Sequence, residues 1–478
     1  MRRCFPLRRR TRKTPSGLSV VRFFEYTACT GRQDYEYGVS GGDREQKECC
    51  AVQREHRWKR NAAVLLIFTL LLIAQTPLFA PFLNIAPLKR VFAGAPYTLN
   101  LPTAFRLVST VPAVVTAVPD ARKIVPADAG VAAVDVMLGH VPLSRMNVHV
   151  YPDLKVYPGG QSIGVKLRTP GILVVGYKKV STSEGENVSP AEQAAVKVGD
   201  IIRRVDGQEL KDAGALTPIV ERAGREGRTL NVEIVRGDRT FTVPVKPVLD
   251  PQDNTFKLGL FVRDSAAGIG TLTFFDPNTR AYGALGHVIS DLDTKRPIAA
   301  GGGAILPSTV TAVDRGTPGR PGAIRAVFPD ERKKIGDIER NTPFGIFGHL
   351  QEVPKHPLYD RPIPVSFAED VKVGPAKMLT VIDGDRVEAY DIEITAVFHQ
   401  EVPSTKSMVI RVTDPRLIEK TGGIVQGMSG SPIIQDGRLV GAVTHVFVGD
   451  STQGYGVFIE WMLRMTELMR ETSEPNAA

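Results

Sequence analysis

Short apolar runs separated by turn residues dominate the chain from about residue 249 onward. Clear examples are residues 270–275, 323–328, 377–381 and 408–412. Runs of this length, bounded by Gly, Pro or Asp, are typical of the strands of a barrel or sandwich. A helical period appears only near the end, over residues 458–470. The pattern therefore predicts a mainly β fold that finishes with a helix.

A different pattern lies between residues 61 and 88, which include no charged side chain. Residues 62–80 are almost wholly apolar, close to the length of about 20 residues that spans a bilayer. Basic residues at positions 54–60 precede this stretch, and the positive-inside rule then leaves the N-terminus in the cytoplasm. We predict a transmembrane anchor over residues 61–85, with everything after it outside the membrane. A cleaved signal peptide is the alternative, although Pro96 would hinder cleavage after Ala95.

Charge and cysteine usage separate the first 60 residues from the rest. Residues 1–60 hold 15 Lys and Arg against 7 Asp and Glu, whereas the remaining residues hold 45 against 44. Residues 1–60 are therefore predicted to be a basic, disordered cytoplasmic tail, and nothing in the folded part suggests a nucleic-acid partner. All 4 cysteines lie in the first 50 residues, so the folded domains carry no thiol nucleophile. Residues 86–155, rich in Ala, Val and Pro, are predicted to be a weakly structured spacer.

The strongest chemical signal is Ser429, which lies between Met428 and Gly430 in a turn that begins at Gly427. Glycines beside a serine let the backbone turn sharply and expose the hydroxyl. The amides of Gly427 and Ser429 would then point together as an oxyanion hole for a tetrahedral intermediate. A hairpin turn without chemistry is the competing interpretation.

A serine nucleophile needs an imidazole beside it and a carboxylate that orients the imidazole. His287 follows a strand of small residues and precedes Ser429 by 142 positions, while His349 has similar surroundings and is a rival. Several aspartates at strand ends or turns are available as the carboxylate: Asp291, Asp293, Asp314, Asp383, Asp385 and Asp391. No phosphate loop, dinucleotide loop or zinc helix occurs, so we predict no cofactor and no metal.

Residues 156–247 resemble the PDZ domains of bacterial proteases through the motifs at residues 189–194 and 198–207. On this resemblance Ser162, Ile163, Gly164 and Val165 take the position of the loop that binds a peptide carboxylate. A helix at residues 216–223 would form the other wall of the groove, and the peptide would add as a strand to a sheet edge. The alternative is a PDZ fold that only packs against its neighbour.

Three motifs, at residues 286–291, 413–417 and 422–432, resemble the stage IV sporulation protein B peptidases of endospore-forming bacteria. The order of anchor, PDZ domain and peptidase domain is also similar to that family. The strands and helix after Ser429 resemble the end of a chymotrypsin-like double β-barrel, which we expect over residues 248–478. The resemblance implies a triad of His287, Asp414 and Ser429. Asp414 also precedes a proline, as many turn residues do.

The resemblance further implies a signalling serine endopeptidase, anchored in the membrane, that acts in the space between the two forespore membranes. It implies self-processing and cleavage of a membrane-protein regulator. That cleavage releases an intramembrane protease, which activates a sigma factor. The PDZ domain would bind peptides or the protein itself. Two other functions stay open: a non-catalytic PDZ scaffold, and an envelope quality-control protease.

Overall fold

The computed structural model describes residues 61–66, 68–69, 88–118, 122–182, 187–329, 331–354, 356–398, 400 and 402–469. Residues 1–83 form a unit separate from residues 84–478. Within the first unit, residues 61–66 and 68–69 are helical. Among the described residues, no helix is both long enough and apolar enough to cross a membrane. Most of the predicted anchor at 61–85, and the whole predicted tail at 1–60, lie outside the described residues.

An N-terminal β domain precedes the PDZ region. Its strands are β1 (Leu88–Phe92), β2 (Tyr97–Thr98), β3 (Phe105–Ser109), β4 (Val115–Val118), β5 (Lys123–Pro126), β6 (Gly130–Leu138) and β7 (Val141–Tyr151). They form a four-stranded sheet in the order β1-β7-β6-β3 and a three-stranded sheet in the order β2-β5-β4. Alternate positions of β6 and β7 are buried, among them Val134, Val136 and Val148. The prediction of a weakly structured spacer at 86–155 is therefore wrong, because the valines alternate with the period of a half-buried strand.

The PDZ region follows the N-terminal domain and contains both strands and two short helices. Its elements are β8 (Lys155–Pro158), β9 (Ser162–Tyr177), β10 (Val180–Ser181), β11 (Asn187–Val188), α1 (Pro190–Gln193), β12 (Ile201–Val205), β13 (Gln208–Glu209), a 3-10 turn (Ala213–Ala215), α2 (Leu216–Arg225), β14 (Leu230–Arg236) and β15 (Arg239–Val245). Ser189 caps α1 by accepting from the amide of Glu192. The predicted helix at 216–223 is present as α2.

The first half of the peptidase region is built from short strands and one long strand, which pairs with β9 of the PDZ region. Its elements are β16 (Val248–Asp250), β17 (Thr255–Lys257), β18 (Leu260–Phe275), β19 (Ala281–Ala284), β20 (Gly303–Pro307), β21 (Thr309–Asp314), β22 (Ala323–Val327), β23 (Gly336–Asp337), β24 (Arg340–Thr342), β25 (Gly345–His349) and β26 (Ile363–Pro364). Two 3-10 turns, Glu331–Lys333 and Ala368–Asp370, belong to the same region.

The second half of the peptidase region is a closed barrel in the order β27-β28-β29-β32-β31-β30. Its elements are β27 (Gly374–Val381), β28 (Val387–Val397), β29 (Met408–Val412), α3 (Pro415–Thr421), β30 (Pro432–Gln435), β31 (Arg438–Val446), β32 (Gln453–Phe458), α4 (Ile459–Leu463) and a 3-10 turn (Glu467–Met469). Its interior is filled by fully buried apolar side chains such as Met378, Ile394 and Ile433.

The expected double barrel is present only in part. The first half belongs to an open sheet of 13 strands rather than to a second closed barrel. The reason is that β9 and β18 run on into the PDZ region: residues 172 and 173 of β9 pair with β12, while residues 260–263 of β18 pair with residues 173–177 of β9. A barrel closes when its strands pair around a full circle, whereas the main path of this sheet ends at β15 on one side and at β24 on the other.

The same long strand overturns the predicted peptide-binding loop. Ser162, Ile163, Gly164 and Val165 begin β9. All four pair with β18, and the last three also pair with β20 on the other side. All four are buried. A Cβ on Gly164 would lie 2.5 Å from the Phe328 ring. These backbone groups are used by the peptidase sheet and are not open to a peptide carboxylate.

Candidate active site

The nucleophile loop lies between α3 and β30, where the chain returns to the closed barrel after β29 and α3. Gly427 and Gly430 have φ angles of 100° and 95°, which favour glycine. A Cβ on Gly430 would lie 2.2 Å from the carbonyl oxygen of Thr271 and 2.4 Å from the amide nitrogen of Leu285. The glycine is therefore required by the close approach of three backbone segments.

Strand β18 holds this loop in place. The amide of Thr271 donates to the carbonyl of Ser429 over 3.0 Å. The hydroxyl of Thr271 donates to the carbonyl of Gly427 over 2.9 Å, and the hydroxyl of Thr273 donates to the carbonyl of Gly430 over 2.8 Å. Three carbonyls of the loop are thereby turned toward β18.

The amides of the loop divide into two sets. The amides of Met428, Gly430 and Ser431 donate to the carbonyls of Val425, Val443 and Met428, respectively. Within the part of the chain that the structure describes, the amides of Gly427 and Ser429 donate no hydrogen bond. These are the two donors that the sequence predicts for the oxyanion hole, and each has its hydrogen available for a ligand.

The hydroxyl of Ser429 is half-buried and donates to the carbonyl of Thr444 over 3.0 Å. Thr444 lies on β31, and its own hydroxyl is 3.1 Å from the carbonyls of both Thr405 and Tyr455. The hydroxyl of Ser429 is therefore hydrogen-bonded to the backbone of β31 and not to an imidazole. Catalytic hydrogen bonds are often long or absent before substrate arrives.

His287 is brought to the same place by a strained turn after β19. Leu285 and Gly286 have φ angles of 71° and 70°. A Cβ on Gly286 would lie 3.1 Å from the methyl group of Thr444, so the base loop touches β31. Leu285 is held because its amide donates to the carbonyl of Thr271. A non-glycine residue in this conformation is costly, and such strain is found most often at functional sites.

The tautomer of His287 follows from its contacts. Its Nδ1 lies 2.9 Å from the carbonyl oxygen of Val288. Since a carbonyl can only accept, Nδ1 carries the proton and Nε2 is left as the basic nitrogen. Burial lowers the pKa of His287 below its ordinary value of 6.5, against the opposing effect of the Val288 carbonyl. The ring is therefore a free base at neutral pH.

Asp414 is not brought to His287. It caps the N-terminus of α3, where its carboxylate accepts from the amide of Arg416 over 3.0 Å. The guanidinium of Arg416 donates to the same carboxylate over 2.8 Å and 3.1 Å, and the amide of Asp391 does so over 3.3 Å. Among the described residues, no carboxylate is hydrogen-bonded to His287. In this conformation the carboxylate of Asp414 is bonded to Arg416 and to the amide of Asp391 rather than to His287, and its catalytic role stays a prediction.

A second imidazole lies beside His287 instead. The rings of His287 and His445 have centroids 5.1 Å apart and are tilted by 39°. His445 follows Thr444 on β31 and is exposed on its other side. Thr271 and Thr273 lie outside the sequence motifs that predict the site. The signal for them is an alternating pair of threonines in an otherwise apolar strand.

The rival histidine lies elsewhere. His349 bonds to Glu339 over 2.7 Å on the exposed end of β25. Together with Asp337, these side chains form the one group of metal-type ligands within 4.8 Å of one another that the described residues contain. Glu339 and His349 are exposed and Asp337 is half-buried, and the hydrogen bonds of His349 to both carboxylates hold the group together.

Two family models match parts of the chain. Residues 254–463 match the family model described as SpoIVB peptidase S55. The peptidase domain is of the SpoIVB S55 family. Residues 163–246 match the PDZ domain model, so the S55 domain follows a PDZ domain.

Individual relatives cover less of the chain. One relative is a protein of Synechocystis sp. whose printed name is putative serine protease HhoA. The two sequences are 40% identical over 58 residues, which make up 12% of this chain and 14% of the relative. A solved structure, the PDZ domain of the SdrC-like protein from Listeria monocytogenes, is similar at 19% identity with a TM-score of 0.16. It covers 20% of this chain and 87% of its own.

Proposed function

We propose that this chain is a serine endopeptidase in which Ser429 is the nucleophile and His287 is the base. The observation that carries the proposal is the nucleophile loop: the amides of Gly427 and Ser429 donate no hydrogen bond among the described residues, and the hydroxyl of Ser429 is half-buried against β31. His287 presents its basic nitrogen from a loop that touches the same strand, β31. The S55 family match independently supports serine chemistry.

We further propose the cellular setting of the sporulation protein B peptidases. The chain would be anchored by residues 61–85, with its S55 domain outside the cytoplasmic membrane in the space around the forespore. It would process itself and cleave a membrane-protein regulator, thereby releasing an intramembrane protease that activates a sigma factor. Support for this setting comes from the sequence motifs and from the order of anchor, PDZ domain and S55 domain. The PDZ match supports peptide binding in general.

Ser429→Ala tests the chemistry. Removing a triad serine leaves only the residual catalysis of binding and the oxyanion hole, on the order of 10³–10⁴ over water. Self-cleavage and cleavage of the regulator should therefore become undetectable while the melting temperature is retained. Ser431→Ala is the matched control, because the Ser431 hydroxyl is fully buried and has no hydrogen-bond partner among the described residues. An active Ser429→Ala protein beside an inactive but folded Ser431→Ala protein would show that the nucleophile is misassigned.

A further inference from the structure

The hairpin of β6 and β7 in the N-terminal domain ends in an exposed apolar tip. This hairpin tip consists of residues 138–143, all of which are exposed and none of which is Asp, Glu, Lys or Arg. Leu138, Val141 and Leu143 are 36%, 58% and 41% exposed, respectively. Gly139, with a φ angle of 62°, makes the turn. Contiguous exposed apolar side chains mark a surface that contacts a partner or a membrane.

The register of the sheet fixes the direction in which the hairpin tip points. Strand β1 pairs with β7 in parallel, and Leu88 at the start of β1 is opposite Asn147. Residues 141–146 of β7 therefore extend beyond the start of β1, on the side from which the chain enters the domain. At about 3.3 Å per residue, this extension is about 20 Å long.

The proposed anchor ends close to the same side of the domain. It covers residues 61–85, so only residues 86 and 87 separate it from Leu88. A fully extended chain of that length spans about 10 Å. A hairpin that extends about 20 Å back from Leu88 therefore reaches a membrane surface that lies within about 10 Å of the same residue.

We propose that the hairpin tip inserts into the interface of the membrane that holds the anchor. This inference rests on the proposed anchor and goes beyond the proposed peptidase activity. Leu138, Val141 and Leu143 enter the boundary between the lipid headgroups and the acyl chains. Apolar side chains are stabilised there because they leave water.

The charged groups behind the hairpin tip suit an anionic membrane. The exposed guanidinium of Arg106 donates to the carbonyl of Gly139 over 3.2 Å, so a cation lies directly behind the turn. The acidic residue of β6, Asp135, accepts from the guanidinium of Arg145 over 2.7 Å and 3.1 Å. Two guanidinium groups against one carboxylate leave a positive balance, which attracts anionic headgroups.

Insertion of the hairpin tip gives the N-terminal domain a second attachment to the membrane besides the anchor. The ion pairs of Lys89 and Arg90 join β1 of this domain to the S55 domain. The S55 domain therefore keeps one orientation above the membrane surface. That arrangement suits a peptidase whose proposed substrate is itself a membrane protein.

The test places a fluorophore at the hairpin tip of the full chain in lipid nanodiscs. All 4 native cysteines are replaced by serine, Ser429→Ala prevents self-cleavage, and His140→Cys is labelled with the environment-sensitive dye NBD. The discs contain phosphatidylcholine and phosphatidylglycerol, with or without a lipid that carries a doxyl quencher on its acyl chain. Asp238→Cys is the matched control, because it follows Gly237, whose φ angle is 59°, in the exposed turn between β14 and β15.

We expect the emission of the label at position 140 to shift to shorter wavelength in the discs and to be quenched by the doxyl lipid. The label at position 238 should show neither change. Val141→Asp should abolish both signals at position 140, because a carboxylate enters an apolar boundary only at a large cost. The Val141→Asp chain should still remain with the discs, because the anchor holds it.

Val131→Asp is the control for this substitution. Val131 is 53% exposed on the same hairpin, but it lies at the end remote from the hairpin tip. It should leave both signals at position 140 unchanged, and the melting temperature of each variant reports on its fold. Equal loss of signal in folded Val131→Asp and Val141→Asp chains would show that the contact is not made by the hairpin tip.

Two further results overturn the proposal. A shift without doxyl quenching that grows with the number of chains per disc would show that the hairpin tip contacts a second copy of the chain instead of lipid. A label at position 140 that is neither shifted nor quenched, on a chain that stays with the discs, would remove the lipid contact and leave the anchor intact. A chain recovered free of lipid would overturn the proposed anchor together with this inference.

Discussion

At the scale of single residues, Asp414 shows how one aspartate can satisfy a catalytic motif and a structural one. Its side chain is only 4% exposed, while the partner Arg416 is 61% exposed and lies over the ring of Tyr390. Hydrogen bonding from Arg416 is the largest cause that lowers the pKa of Asp414 below its ordinary value of 3.8. The carboxylate of Asp414 is therefore ionised in the folded protein at neutral pH.

Substitutions of Asp414 should separate the stability that comes from capping α3 from the stability that comes from the charge of the carboxylate. Asp414→Ala removes the cap and should lower the free energy of unfolding by about 1 kcal/mol, whereas Asp414→Asn should keep most of it. A lowered pKa stabilises the fold above 3.8, and this contribution disappears as pH falls through the folded-state value. Asp414→Asn should therefore lose less stability than the wild type on acidification, as measured by urea unfolding. Exposed Asp385→Asn is the control, and equal stability of the alanine and asparagine variants would contradict the capping role.

The sequence identifies the nucleophile and base better than the carboxylate, for a physical reason. Glycine at positions 427 and 430 and small residues before His287 are demanded by backbone geometry that few other residues can adopt. Asp414 before a proline is also the ordinary start of a helix. The contact between the rings of His287 and His445 joins segments about 160 residues apart in the chain, so no local motif could reveal it.

At the scale of elements, strand β18 links the PDZ region to the nucleophile loop. Phe256, Leu258, Leu260 and Val262, at and just before its start, pack against the PDZ core. Its other end supplies Thr271 and Thr273 to the loop of Ser429. The PDZ prediction from motifs at 189–207 succeeded because those motifs are local. The predicted peptide loop failed because β9 pairs with strands about 100 residues later in the chain, which no local pattern reveals.

Two glycines of β18 test this link. A Cβ on Gly270 would lie 1.9 Å from the side chain of Leu285, which leads to His287. Gly270→Ala should therefore displace the base loop and slow self-cleavage, by up to about 10²-fold for a shift of about 1 Å. Gly268→Ala is matched in strand and chemistry, but its Cβ would meet nothing within 4 Å. Equal processing rates in the two variants would show that β18 does not position the site.

At the scale of the whole molecule, ion pairs join strand β1 of the N-terminal domain to segments of the S55 domain that lie next to the barrel strands. Lys89 bonds to Asp370 over 2.7 Å, and Arg90 pairs with Glu369 and with Glu460, whose side chain is fully buried. Glu460 also receives the amide of Ala368 and the guanidinium of Arg464. The segment that follows the predicted anchor is thus part of the peptidase structure.

Removing Arg90 should weaken this attachment. Arg90→Ala leaves the buried Glu460 with one guanidinium instead of two, and it should cost up to about 3 kcal/mol of unfolding free energy, since breaking a buried ion pair is strongly destabilising. Lys155→Ala breaks the exposed pair with Asp153 and should cost less than about 1 kcal/mol. Denaturant unfolding of the chain measures both. Similar losses in the two variants would mean that the buried pairs do not fasten the N-terminal domain.

The remaining prediction at this scale concerns the orientation of the chain in the membrane, and it rests on the sequence alone. The charge-free span with basic residues on its N-terminal side predicts that residues 87–478 lie outside the cytoplasm. An added protease should then digest the PDZ and S55 domains on intact protoplasts, while a tag at residue 1 is cut only after lysis. The structure also indicates where the protease should cut first. Residues 88–92 are held by β7 and by the ion pairs of Arg90, so the first cuts should fall outside β1. Full protection of both domains on intact protoplasts would place them inside, and the proposed cleavage of a regulator outside the cytoplasmic membrane would then be ruled out.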